Sequence, residues 1–156
     1  MFNKNKINVL VTGGFDPLHS GHIKLFQEAS LLGSKLFVGI NSDKWLIRKK
    51  KYTFLPVIER KIIIENLKMV DEVILWDDLD NTANGAIETV LKNIKDDEVL
   101  IFANGGDRKN TNTPELEKHN NNCRVIFEFG VGGFKKTNSS SKILFDYKNN
   151  HYNKHK

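Results

Sequence analysis

The chain has 156 residues and a mass of 17.9 kDa, room for one domain with a substantial core. Hydrophobic residues make up 39% and charged residues 28%, which excludes a collagenous or wholly disordered chain, and no run approaches the roughly eighteen apolar residues of a membrane span. Lysine and arginine number 24 against 19 for aspartate and glutamate, and the resulting +5 calls for an anionic partner.

The polar start, Met1 to Lys6, is followed by an apolar stretch, Val9 to Val11, that is too short for a signal-peptide core, so cytoplasmic residence is expected. Ile7 to Val11 then reads as a buried strand that stops at Thr12-Gly13-Gly14. A helix follows, with Ile23, Phe26 and Leu31 inward and Gly33 at the place of a C-cap glycine. Lys35 to Ile40 is the second strand. Pro56 opens a second helix whose apolar face is Val57, Ile58, Ile62, Ile63, Leu67 and Met69. Glu72 to Trp76 is the third strand, Ala83 to Ile94 the third helix, Glu98 to Phe102 the fourth strand and Arg124 to Phe129 the fifth. A last helix begins near Ser139 to Ser141 and runs through Ile143, Leu144 and Tyr147.

Strands alternating with helices need crossover connections, and these give a mostly parallel sheet covered on both faces. The strands are apolar runs and not alternations, as that burial requires. The expected architecture is a single Rossmann-like α/β domain, residues 1–147, with a five-stranded, mostly parallel sheet. Residues 148–156 form a polar, basic tail that reads as a frayed terminus, with His151 and His155 as part of it and not as a metal pair. Cys123 is the single cysteine, which excludes an intramolecular disulfide, and it has no Cys or His neighbour at zinc-ligand spacing.

In such sheets ligands bind beyond the carboxyl ends of the strands, so the segments following strands carry most weight. Thr12-Gly13-Gly14-Phe15-Asp16-Pro17-Leu18-His19-Ser20-Gly21-His22 links the first strand to the first helix. Its glycines let the backbone approach a ligand, and the helix start supplies unpaired N–H donors. Neither a Walker A loop nor G-x-G-x-x-G is present, which disfavours a nicotinamide dehydrogenase. Instead His19 and His22, three apart, share one face of a helical turn and can grip the same anion.

This segment resembles the H-x-G-H signature of the nucleotidyltransferase superfamily that includes cytidylyltransferases and small adenylyltransferases. Leu46 to Val73 resembles the lysine-containing loop and E-R-K helix of glycerol-3-phosphate cytidylyltransferases. Asn104-Gly105-Gly106-Asp107 resembles the G-G-D turn of heptose-phosphate adenylyltransferases, and Thr137 to Ile143 the closing motif of both branches. The resemblance covers about residues 7 to 145. It implies attack by a substrate phosphate on the α-phosphorus of a nucleoside triphosphate, with pyrophosphate leaving and no covalent intermediate. Such transfer is catalysed chiefly by positioning and by cations where charge builds.

By resemblance, His19 and His22 donate to that charge and Lys49 and Lys51 contact phosphate, although the choice within Arg48-Lys49-Lys50-Lys51 stays open. Thr12, Gly13, Gly14, Phe15, Asp16 and Gly21 are implied in nucleotide binding. So are Gly105, Gly106, Asp107 and Arg108 after the fourth strand, and Ser139, Ser140 and Ser141 at the last helix. Arg60 is implied to reach the acceptor or triphosphate. Cytidylyltransferases place an arginine just before the closing motif, whereas this chain has Phe134-Lys135-Lys136, so Lys135 and Lys136 take the substrate-binding place as point charges.

Magnesium is expected with the triphosphate. Asp77, Asp78 and Asp80 read as a polar loop and not as a dedicated metal cage. The lysine loop leans towards CTP and the G-G-D turn towards ATP, with CTP the expectation and a homodimer implied. The rival class is a nucleic-acid-binding module driven by the basic block and tail, but no RNA- or DNA-reading motif is present and Tyr52 is the only aromatic beside the block.

Overall fold

Strand β1 (Ile7–Gly13) lies between β2 (Lys35–Ile40) and β4 (Val99–Asn104), pairing in parallel with both. β3 (Glu72–Ile74) extends the sheet beyond β2 and β5 (Val125–Phe129) beyond β4, giving the order β3-β2-β1-β4-β5 with every pair parallel. The computed structural model describes residues 3–106, 108–111, 113–133 and 138–154. The five strands, their parallel pairing and the helices on both faces agree with the sequence reading.

The pleat sends alternate residues of β1 to opposite faces, and both are covered. Val9 and Val11 pack with Phe26 and Ala29 of α1 (Ser20–Ser30) and Ile64 of α3 (Val57–Glu65). Leu10 packs on the other face with Ala86, Ile87 and Val90 of α4 (Asn84–Asn93). Burial on both sides explains why the strands read as unbroken apolar runs.

Several local expectations are corrected. Leu31 is 70% exposed and caps the end of α1, while Ala29 takes the inward place. Gly33 is not a left-handed cap: a Cβ there would lie 2.5 Å from the Ile7 carbonyl oxygen, so glycine is required by close approach to β1. On α3, Ile58, Ile62 and Ile63 point outward, and the buried positions are Arg60 and Ile64. Two helices were not foreseen, α2 (Asp43–Lys50) and α5 (Glu115–His119). α2 buries only Leu46, which leaves no apolar period to detect, and α5 is too short to have one.

The block Arg48-Lys49-Lys50 is thus a helix end and not a loop, where the helix dipole favours cations. α6 (Ser140–Lys154) likewise continues beyond Tyr147 through the segment whose composition reads as frayed, with Lys142 and Asp146 paired one turn apart near its start. No helix among the described residues is long and apolar enough to cross a membrane.

Candidate active site

The turn after β1 is packed too tightly for side chains at its glycines. A Cβ on Gly13 would come within 2.9 Å of the Phe15 ring, and one on Gly14 within 2.8 Å of Leu46 Cδ2. Phe15 is buried in the left-handed region, φ 50°, with its ring edge-on to both His22 and Phe26 at 5.0 Å. Asp16 precedes a cis Asp16–Pro17 peptide, and its carboxylate is fully buried. Both oxygens accept backbone N–H bonds at 2.7 Å, from Phe54 and Leu55. Asp16 therefore holds the segment before α3, and it does not line the cavity.

His19 is the N-cap of α1, with extended backbone and its Nδ1 accepting the Gly21 N–H at 3.1 Å. His22 Nδ1 accepts the His19 N–H at 3.3 Å, completing a reciprocal capping box made of two imidazoles. The rings stack, with centroids 3.7 Å apart and planes 25° apart. In a neutral imidazole whose Nδ1 accepts, the proton is on Nε2, so capping through Nδ1 is compatible with donation through Nε2.

Both rings line a cavity of about 200 Å³ at the carboxyl ends of β1 and β4, where the strand order reverses. Thr12, Gly13, Phe15 and Gly21 line it from the β1 side, and Gly105, Gly106 and Arg108 from the β4 side. Among the described residues no carboxylate lines it, and the wall carries the two histidines, an arginine and the start of α1. Its hydrogen-bond donors and its helix terminus suit an anion.

A third wall escaped sequence reasoning. Val131, Gly132 and Gly133 follow β5 and line the same cavity. Gly130, Gly132 and Gly133 all have positive φ, and a Cβ on Gly132 would lie 3.0 Å from Leu25 Cα in α1. Gly132 N–H donates to Glu28 Oε2 at 2.7 Å, fixing this wall to the first helix. Three glycines in four residues directly after a strand were the available signal.

Arg60 is turned inward, opposite to expectation. Nε donates to the Leu55 carbonyl at 2.9 Å, Nη1 to those of Gly14 at 2.7 Å and Asn41 at 2.8 Å, and Nη2 to Asp43 Oδ1 at 2.6 Å. Its side chain has no exposed surface, so it braces the glycine turn from behind and does not line the cavity. Lys49 and Lys51 are exposed and outside the cavity wall; Lys49 Nζ lies 5.9 Å from the Trp45 ring centre, and Lys51 is the left-handed C-cap of α2.

The three serines divide their labour. Ser139 Oγ accepts the Lys142 N–H at 3.1 Å, Ser140 Oγ donates to the Pro17 carbonyl at 2.8 Å, and Ser141 is exposed. Their neighbour Asn138 is the residue of this segment that lines the cavity. Asp107, Lys135 and Lys136 lie outside the described residues. Asp78 is buried and accepts from Asn41, Ser42 and its hydroxyl, while Asp77 and Asp80 accept from N–H groups of their own loop. Asp78 also pairs with Arg48 and Asp80 accepts from the Thr82 hydroxyl, so these carboxylates are bonded to protein donors of the loop and its neighbours.

A parallel sheet of this order with a cavity at its switch point defines a Rossmann-like α/β domain. Residues 10–144 match the family model of cytidylyltransferase-like proteins, and the chain belongs to that family of nucleotidyltransferases. It is 44% identical over 66 residues to the glycerol-3-phosphate cytidylyltransferase of Bacillus subtilis (strain 168), a match spanning 42% of this chain and 51% of that protein. A FAD synthase of Thermococcus sibiricus is 32% identical over 127 residues, covering 81% of this chain and 82% of its own length. Among solved structures, a lipopolysaccharide core biosynthesis protein from Thermoplasma volcanium GSS1 superposes with TM-score 0.58 at 28% identity, covering 79% of this chain and 93% of that one. A bifunctional NMN adenylyltransferase/ADP ribose pyrophosphatase from Francisella tularensis gives TM-score 0.65 at 16% identity over 94% of this chain and 43% of that one, a likeness of fold.

Proposed function

We propose that the protein transfers a nucleotidyl group from CTP to a phosphorylated small alcohol or sugar. A phosphate oxygen of the acceptor forms a bond to the α-phosphorus, and the bond to the bridging oxygen of the β-phosphate breaks, releasing pyrophosphate with that electron pair. The observation that carries this reading is the stacked His19–His22 pair at the start of α1, inside the cavity. Two Nε2–H donors and a helix terminus stabilise charge that grows on the phosphate oxygens, and no side-chain nucleophile is required. Magnesium would enter with the triphosphate and would be held through its phosphate oxygens, since among the described residues no carboxylate lines the cavity. Lys49 and Lys51 are proposed to meet phosphate from the end of α2.

Adenylyl transfer from ATP is a second reading, favoured by the FAD synthase match, which covers nearly twice as much of this chain as the glycerol-3-phosphate cytidylyltransferase match. A panel of the four triphosphates against glycerol phosphate, amino-alcohol phosphates, sugar 1-phosphates and flavin mononucleotide, read by pyrophosphate release, decides between them. Turnover with CTP supports the first reading, turnover with ATP alone supports the second, and no release with any pair refutes both. A homodimer in the cytoplasm is proposed as well, with the outward side chains of Phe54, Ile58 and Ile62 as the meeting surface; sedimentation at micromolar concentration tests it.

A further inference from the structure

Glu115 stands in the first turn of α5, and its side chain has no exposed surface. A buried carboxylate is stable only with hydrogen bonds and a compensating charge. Its Oε1 accepts the Ala83 N–H at 2.7 Å, one of the unpaired donors at the start of α4. Its Oε2 accepts from Arg108 Nη1 at 3.1 Å, and Asn104 Oδ1 lies 3.5 Å from the same nitrogen. Arg108 is half-buried in the cavity wall, and Asn104 lines the cavity too. One carboxylate thus ties a cavity arginine to the helix packed under the other face of the sheet.

We propose that Glu115 is a positioning residue for nucleotide binding, holding the Arg108 guanidinium in the cavity wall through their buried ion pair. This rests on the reading that the cavity takes a nucleoside triphosphate. An untethered arginine loses rotamer freedom when it grips an anion, whereas one already held loses less, so the tether acts on affinity. The two duties of Glu115 are chemically separable. Capping Ala83 needs an acceptor, which glutamine keeps. Holding Arg108 needs a charge, which glutamine lacks.

The test compares wild type, Glu115→Gln, Glu115→Asp, Arg108→Ala and the Arg108→Ala/Glu115→Gln pair. Calorimetric Kd for magnesium-ATP and magnesium-CTP, steady-state KM and kcat, and thermal midpoint are measured for each. Glu115→Gln is expected to raise Kd and KM about tenfold, with kcat changed less than about twofold. Adding it to Arg108→Ala costs nothing further, and Glu115→Asp, which keeps the charge, recovers part of the loss. Native Kd in Glu115→Gln, or penalties that multiply in the pair, overturns the proposal. So does a lowered midpoint with unchanged Kd, the mark of capping alone. If Glu115→Gln does not fold, the cycle is closed with Glu115→Asp and an Arg108→Ala/Glu115→Asp pair, and multiplying penalties there overturn it equally. A wild type that binds neither nucleotide refutes the cavity reading itself; one that binds normally with Arg108→Ala refutes only the role of the tether.

Discussion

Arg60 Nη1 donates to the carbonyl oxygen of Gly14 at 2.7 Å, so a helix on one face of the sheet braces the turn that carries the histidine pair. Arg60→Met fills the space but leaves the carbonyls of Gly14, Asn41 and Leu55 without that donor, and Asp43 without its cation. The expected loss is about 3–5 kcal/mol in urea unfolding. Activity per folded molecule falls too, because the turn is released. A variant of native stability would show that the brace carries no weight.

His19 combines two duties that substitution can part. His19→Ala removes the cap acceptor for the Gly21 N–H and should destabilise by about 1 kcal/mol. His19→Asn restores the cap, since asparagine is a preferred N-cap, yet supplies no imidazole donor. Its melting temperature should return to the native value while kcat stays down about a hundredfold or more. Recovery of turnover along with stability would remove His19 from the chemistry.

Gly132 is restricted twice over, by φ 79° and by the backbone of Leu25. Gly132→Ala should cost about 1–3 kcal/mol, and the displaced loop should narrow the cavity, raising the Kd for nucleotide. Thermal unfolding and calorimetry on the same sample check both. Gly106, also at positive φ but with open space around it, should lose stability without that change in packing.

His119 is buried, and its Nε2 has no hydrogen-bond partner among the described residues. Burial holds its pKa below the ordinary value, the Lys118 charge adds to this, and Glu88 and Glu115 oppose it. The unfolded chain therefore binds a proton at higher pH than the folded one does. The resulting stability is fully present above the ordinary histidine value and is lost as pH falls through it towards the lowered one. Urea midpoints between pH 7.5 and 5 should decline for the native protein, and His119→Leu should flatten that part of the slope. An unchanged slope in the variant assigns the decline to other groups.

Sequence carries some parts of this molecule well and hides others for definite reasons. The strands are legible because both faces of the sheet are covered, which turns each into an apolar run. The histidine pair is legible because its geometry is local, three residues on one turn. Charge was the misleading signal. Arg60 lies among polar neighbours on an E-R-K helix and reads as facing outward, yet three carbonyls around it need a donor. Glu115, beside Glu117 and Lys118, carries no mark of burial in the sequence, and only the fold brings Ala83 and Arg108 to it. α2 was missed because one buried leucine makes no pattern, and with it the basic block was taken for a loop.

The bond from Ser140 Oγ to the Pro17 carbonyl joins groups 123 positions apart, and Gly132 reaches Glu28 across 104. Both span from the opening helix region to the closing part of the chain. While the protein is being made, the early strands and the histidine turn leave the ribosome long before the pieces that wall them in. A nascent chain halted at the fourth strand has the imidazoles but lacks the wall of Val131, Gly132, Gly133 and Asn138, so the cavity is completed late in synthesis.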